Sequence, residues 1–578
     1  MSINHSPSGE HAEDSRDDTT PPERAARDAQ TTYVFITSLV FLVTAVLVII
    51  GLFFVIVTTR TMWLQALLLL LSVLWVLMVV QNVRLALVSL IGMVLRLGFI
   101  RTDYHLTPTT IESSPMPTNQ MEENTLSSND ITSHSLSRMP SLSILIPAVN
   151  EDDSLIRRGI RSVMTTRYNG VLRIYLLDDS KDGKYKALAA ETGVKYVARP
   201  VKDHGKAGNL NYTLKNYVQT ELFFVMDCDY EIVDADIFTK MVNLMDKRTA
   251  LVQAPQRYIN VSDSKASMFA EIENVIWFDI INVHADRYNI VPYHGTNSIV
   301  RTKALREVGY LDEDSAVDDF PTYARMVLRG WKTAYLPEVV MEGSAPKDLQ
   351  GLLKQRKKWA MGMGKSFVSV GYKLLFFSFG KKSLVESIHH WCNFTWFAWP
   401  VTNVAYSLLL GLFVYLQYRG IFTIPMLPAL VVLHLITSVS LLILMGGRKF
   451  GLSFLKMVSM DYLLTYEFGY NYIRGVFGAR TDVLTPKRNS GLGTAQLLRV
   501  TLPILATITF FTYVTYLSIL IPQLFYATFG IYNIIMFAYS LTNLKGTPKP
   551  RPVSTIKKEQ TSPILSQHPA SEHETASK

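Results

Sequence analysis

Apolar residues in this 578-residue chain gather in two kinds of run: long ones near both ends and short ones in the middle. Tyr33 to Val57 carries no charge, and a second uncharged run spans Met62 to Val80. A helix crosses the hydrocarbon core with about 20 such residues. The link at Arg60 is short, so these runs predict a helical hairpin over residues 33–100. Its last part, Asn82 to Ile100, carries Arg84 and Arg96. That part either extends the second helix or lies at the interface. Beyond residue 370 the pattern returns in Trp391 to Tyr418, Ile421 to Met445, Val500 to Ile521 and Leu524 to Leu541. Six spans are expected, two before the middle region and four after it. Trp391, Trp396 and Trp399 suit an aromatic belt at one membrane face.

Two further stretches are apolar but broken by charge. Tyr372 to His390 contains Lys373, Lys381, Lys382 and Glu386; Phe450 to Phe477 contains Lys456, Asp461, Glu467 and Arg474. Both read as interfacial amphipathic helices, with a seventh polar span as the alternative for the second. Residues 1–32 and 542–578 are polar and read as disordered tails, and 101–140, rich in Thr, Ser, Pro and Asn, as a linker. The remaining boundaries are a soluble domain at 141–370, an interfacial helix at 371–390, spans at 391–445, an interfacial segment at 446–499 and spans at 500–541.

Inside 141–370 the rhythm changes. Leu142 to Ile146, Leu172 to Leu177, Val194 to Ala198 and Leu222 to Met226 are short apolar runs separated by charged, helix-compatible segments. That alternation predicts an α/β domain with a mostly parallel sheet. Ligands in such sheets sit beyond the strand C-terminal ends. Asn150-Glu151, Asp178-Asp179 and Asp227-Cys228-Asp229 follow three of the four strands.

Charge sharpens the layout. The net charge is +9, and Lys and Arg concentrate in the middle domain, in Arg448–Arg499 and beyond Lys545. By the positive-inside rule both termini and the middle domain face the cytoplasm, most simply at the plasma membrane. Two cysteines, Cys228 and Cys392, lie far apart and exclude a disulfide framework or cysteine zinc site. No glycine-rich dinucleotide or P-loop fingerprint follows the first strand. No nucleic-acid partner is expected.

Candidate chemistry centres on Asp227 and Asp229. Two carboxylates at a buried strand end call for a cation, and hard oxygens favour Mg²⁺ or Mn²⁺. A polar turn is the alternative reading of the same residues. Lys206, in His204-Gly-Lys-Ala-Gly-Asn-Leu-Asn211, has the charge to meet a phosphate. His294 and Asn297 lie in His-Gly-Thr-Asn. Asp318-Asp319 precedes a helix, where a carboxylate either complements the helix N-terminus or serves as a general base. Gln355-Arg356-Lys357-Lys358-Trp359 sets a tryptophan beside three cations, suited to a sugar ring and a diphosphate.

Taken in order, Asp178-Asp179, Lys206 to Asn211, Asp227-Cys-Asp229, Val317-Asp318-Asp319 and Gln355 to Trp359 resemble the membrane-embedded family-2 glycosyltransferases, among them the cellulose, hyaluronan and poly-N-acetylglucosamine synthases. Two motifs depart from that pattern: Lys358 stands where the family has arginine, and Val-Asp-Asp replaces Thr/Ser-Glu-Asp. The resemblance implies a GT-A type catalytic domain on a helical bundle and an inverting transfer from a nucleotide sugar, most simply a UDP-sugar, to a β-linked polysaccharide passed through the bundle. It further implies that Asn150, Glu151, Asp178, Asp179, Lys206, Asp227, Gln355, Arg356 and Lys358 bind the donor. Asp227 and Asp229 would hold the metal, Asp319 would act as the base, and Trp359, His294 and Asn297 would meet the glycan acceptor. Asp482-Val-Leu-Thr485-Pro-Lys487 is partly similar to the gating loop of cellulose synthases, with Thr485 and Lys487 closing over the nucleotide. A single transfer to a lipid carrier and a catalytically silent glycan- or nucleotide-binding scaffold stay open as alternatives. Any accessory protein is left unspecified.

Overall fold

The computed structural model describes residues 21–96, 139–376, 383–423, 431–433, 435–436, 453–479, 493–521 and 524–544. Seven strands form one sheet: β1 (Leu142–Ala148), β2 (Leu172–Asp178), β3 (Lys195–Ala198), β4 (Leu222–Val225), β6 (Thr249–Gln253), β7 (Ser298–Arg301) and β8 (Lys332–Tyr335). Their order is β3-β2-β1-β4-β7-β6-β8. A two-stranded ribbon pairs β5 (Glu231–Ile232) with β9 (Met341–Glu342).

The four short apolar runs became β1 to β4, and all their mutual pairings are parallel. β1 and β4 are buried almost throughout, as strands covered on both faces must be. β1 continues past Pro147 to Ala148. Its pairing with β4 ends at Leu145, so no bond on that side calls for an N–H at position 147.

The strands that sequence periodicity left out, β6 to β8, complete the sheet. β7 enters antiparallel between β4 and β6. Ser298 is register partner to Val225, so the turn just before β7 meets the chain just after β4. That inversion brings His294-Gly295-Thr296-Asn297 beside Asp227.

Around this domain the helices revise several boundaries. The first helix starts at Pro21 and runs to Thr58, so residues 21–32 are helical rather than part of a disordered tail. Pro21 and Pro22 suit a helix start, and Glu-Arg-Ala-Ala-Arg that follows favours continuation. The second helix, Met62–Arg96, continues through Arg84 to Arg96. The third span begins at Trp396 rather than Trp391. Trp391 belongs to the preceding helix Leu384–Phe394, and a 3₁₀ turn, Trp396–Ala398, leads into Trp399–Tyr418. Pro400 in the first turn of that helix fits this restart.

Among the described residues four helices are long and apolar enough to cross a membrane: Ser38–Thr58, Trp396–Tyr418, Thr494–Leu520 and Leu524–Leu544. A shorter apolar helix spans Met62–Leu77. Most of the expected span Ile421 to Met445, most of the linker, the C-terminal tail beyond residue 544, and Thr485 and Lys487 lie outside the described residues.

Helix Ser453–Val476, foreseen as interfacial, crosses helix Leu349–Ser366 at backbone contact. A Cβ on Gly364 would lie 2.2 Å from the Tyr472 carbonyl oxygen, and one on Gly475 would lie 2.0 Å from that of Met361. Small residues allow such approach between helices. Gly475→Ala should therefore push the two helices apart and destabilise the fold by about 1–3 kcal/mol, read as a lowered thermal midpoint in detergent. An unchanged midpoint would show that the crossing tolerates a methyl group.

Candidate functional site

β4 delivers the chain into a cavity of about 280 Å³. Met226 and Cys228 turn into the core, while Asp227 and Asp229 border the cavity. Burial pushes the Cys228 thiol well above its ordinary pKa, which suits a packing role rather than a ligand.

Lys206 reaches in from helix Gly205–Asn216. Its Nζ donates to Asp227 Oδ1 at 2.5 Å and to the Gly295 carbonyl at 3.0 Å. Burial works against its charge, but Asp227, Asp318 and Asp319 outweigh that and raise its pKa. The Asp227 N–H donates to Thr296 Oγ at 3.1 Å, closing the seam between β4 and the turn before β7. Gly295 has φ +75°, and a Cβ there would stand 3.0 Å from Asp319 Oδ2. Only a residue without a side chain lets that turn slide under the carboxylate.

Asp319 opens helix Asp319–Leu328 and accepts the Phe320 N–H at 2.8 Å. Burial and then Asp318 raise its pKa to about 7. Burial and then Asp227 do the same for Asp229. Burial pushes His294 down to about 3, so the ring is neutral. It lies against Trp277, Phe278 and Phe320.

The Gln355–Trp359 run lies on helix Leu349–Ser366. Helical spacing turns Gln355, Lys358 and Trp359 to one side, and all three border the cavity. Arg356 points elsewhere. Its guanidinium is 1% exposed and donates through Nε and Nη2 to Glu273 Oε2 at 2.8 and 2.5 Å. A group so enclosed does not meet a diphosphate in this arrangement, which corrects its expected donor contact.

Three other expectations change for similar reasons. Asp178 is fully buried and accepts from the Ser180 N–H at 2.7 Å, the Tyr185 N–H at 3.2 Å and Tyr196 Oη at 2.9 Å. It holds the loop after β2 instead of facing a ligand. Asp179 accepts from Arg199 Nε and Nη2, both at 2.7 Å. Arg199 also donates to the Gly205 carbonyl at 3.0 Å, tying β2 to the start of the Lys206 helix. Asn297 is buried at φ 53° and donates to the Pro255 carbonyl at 3.0 Å, so it shapes the turn from behind the cavity. Asn150 and Glu151 sit past β1, where Glu151 Oε2 accepts the Val149 and Asn150 N–H groups.

The cavity also includes residues that sequence reading did not single out. Glu273 resembled any acid on an apolar helix until Arg356, 83 residues later, closed on it. Trp277 sits in an apolar run that looks like core. Trp396, at the start of a candidate span, packs on Trp277 at 5.1 Å between ring centroids.

Asp227 and Asp229 are the carboxylates available to a divalent ion. Among the described residues no group of three or more His, Cys, Asp or Glu side chains converges on one point. Two carboxylates suit Mg²⁺ or Mn²⁺, which take their remaining positions from phosphate and water.

Residues 222–445 match the family described as "Glycosyl transferase family group 2". The cellulose synthase catalytic subunit [UDP-forming] of Xanthomonas axonopodis pv. citri (strain 306) is 29% identical over 232 residues, 39% of this chain and 31% of that protein. Cellulose synthase 1 of Komagataeibacter xylinus is 28% identical over 230 residues, 39% of this chain and 15% of that protein. The match spans less than a third of the length of these relatives. Among solved structures, the mannosyltransferase PcManGT from Pyrobaculum calidifontis in complex with GDP-Man and Mn²⁺ aligns with TM-score 0.41 and 17% identity over 59% of this chain and 88% of its own.

The Asp179–Arg199 pair carries a structural consequence. Arg199 is 2% exposed and Asp179 8%. Asp179→Ala leaves the buried guanidinium with the more exposed Asp203, at 3.3 Å, as its acid partner and should cost about 3 kcal/mol in thermal or denaturant unfolding. Asn150→Ala, at an exposed loop position, should change stability by no more than about 0.5 kcal/mol in the same assay.

Proposed function

We propose that this chain, which carries a family-2 glycosyltransferase domain, moves a sugar from a nucleotide sugar to a growing β-linked polysaccharide at the cytoplasmic side of a membrane. The observation that supports it best is one cavity bordered at once by Lys206, Asp227, Asp229, Asp319, Lys358 and Trp359. The same cavity reaches Trp396 and Phe397, where a candidate membrane span begins. In this reading the product leaves toward that helix. The two cellulose synthase relatives favour a polymer-forming reaction, and the UDP-forming one a UDP-sugar donor.

In this reading the acceptor hydroxyl attacks the anomeric carbon in one displacement, inverting it. Asp319 takes the hydroxyl proton as the bond forms. Its raised pKa makes it a stronger base than an exposed aspartate, at the expense of being protonated in acid. Lys206 and Lys358 face the departing diphosphate, whose charge grows as the bond breaks. Trp359 offers a flat surface to the acceptor ring. Asp227 and Asp229 would hold a divalent ion, which when bound adds charge neutralisation at the diphosphate. Asn150 and Glu151, past the end of β1, would receive the nucleoside.

The direct test incubates the purified full chain in detergent with Mg²⁺ or Mn²⁺ and a panel of radiolabelled UDP-sugars, then sizes the product and determines its linkage. Polymer is expected; a single sugar on lipid, or no transfer from any donor, would overturn the reading. Asp319→Asn should lower kcat by about 100- to 10,000-fold with donor affinity retained. Asp229→Ala should remove metal-dependent donor binding. For pH the sign is fixed by both pKa values being raised to about 7. As pH falls through about 7 both carboxylates gain protons, so kcat/KM should fall on that side and level off above it. A profile flat from pH 5 to 8 would contradict the roles of Asp319 and Asp229.

A further inference from the structure

Glu273 lies on helix Lys265–Val275, away from every segment considered so far for chemistry. It is 5% exposed, yet it borders the cavity. Both bonds from Arg356 land on one of its oxygens, Oε2. The guanidinium they hold does two other things. It lies over the Trp359 ring with its central carbon 4.1 Å from the centroid. It also donates through Nη1 to Gln355 Oε1 at 2.5 Å. One buried carboxylate therefore governs the two residues that offer the cavity a flat ring and an amide. Asp461, on helix Ser453–Val476, lies near the pair, but burial and then Glu273 push its pKa well above the ordinary carboxylate value, so Glu273 is the acid that holds Arg356.

The arrangement has a physical logic. A tryptophan at the edge of a cavity has room to swing about its side-chain torsions. A guanidinium stacked on its inner face removes that freedom, because the planar cation and the indole attract face to face. Arg356 can hold the stack only if its own position is fixed. Two hydrogen bonds to a buried carboxylate fix it, since breaking them would leave both charges unpaired in a low-dielectric setting. Arg356 itself presents nothing to the cavity, so the pair acts through its neighbours.

We infer that Glu273 is a positioning residue for acceptor binding, acting through Arg356 to hold Trp359 and Gln355 in the orientation that receives the acceptor sugar. This rests on the glycosyltransferase reading above, and the test separates the two. Glu273→Gln, Glu273→Asp, Trp359→Ala and the double variant Glu273→Gln/Trp359→Ala are assayed as full chains in detergent. The donor is whichever UDP-sugar supports transfer by the wild type, and the acceptor is a soluble β-linked oligosaccharide of that sugar.

Glu273→Gln should raise the acceptor KM by about tenfold while the donor KM stays within about twofold. Glu273→Asp, which keeps the charge, should recover part of that loss. In the Trp359→Ala background Glu273→Gln should add less than about threefold, because its effect runs through the ring already removed. Should Glu273→Gln not fold, Glu273→Gln/Arg356→Gln removes both charges and should show the same split between acceptor and donor KM. An unchanged acceptor KM, an equal rise in both KM values, or full additivity with Trp359→Ala would overturn the assignment. No transfer by the wild type with any donor would defeat the glycosyltransferase reading itself, whereas wild-type transfer without the split defeats the role of Glu273 alone.

Discussion

One ammonium group holds the cavity face of this protein together. Lys206 links the carboxylate at the end of β4 to the backbone of the turn before β7, at 2.5 and 3.0 Å. Asp319 rests against that same turn at Gly295. Without a cation, Asp227, Asp229, Asp318 and Asp319 would crowd a half-enclosed cavity with like charges, which is costly away from water. With it, the strand end, the turn and the helix start become one unit. Burial, ahead of the neighbouring acids, still raises Asp229 and Asp319 to about 7, so Lys206 does not offset the whole cost of enclosing them.

A second, better buried pair organises the opposite wall. Arg356 and Glu273 fasten helix Leu349–Ser366 to helix Lys265–Val275. On its other side the first of these helices meets helix Ser453–Val476 at the Gly364 and Gly475 contacts. The wall carrying Trp359 is thus clamped from two directions. Close packing of this kind transmits displacement instead of absorbing it. The π-helical turn Ile276–Asn282 follows helix Lys265–Val275 directly and presents Trp277 to the cavity, where it meets Trp396. The cavity wall and the start of a candidate span therefore share one aromatic contact.

Much of this was legible from residue order. The parallel strands β1 to β4 follow from apolar runs too short for helices, and the carboxylates after them fall at strand ends because such sheets collect ligands there. Asp227, Asp229, Asp319, Lys358 and Trp359, from three separate motifs, all border one cavity. Asp178, Asn297 and Arg356 carried equal weight in the sequence, yet each turns inward. A motif states which residue types travel together; it does not state which of them face the ligand and which support those that do.

Residue order was enough to foretell the long apolar helices, the α/β class and the acids at the strand ends, because these depend on local periodicity and on residue types at those ends. Tertiary structure alone decided that β7 runs antiparallel beside β4, that Glu273 answers Arg356, and that Trp396 joins Trp277. Each of these joins residues far apart in the chain, and nothing in local pattern ranks one distant partner above another. Only the packed arrangement, in which buried charges must find opposite charges and rings must fill space, makes the choice.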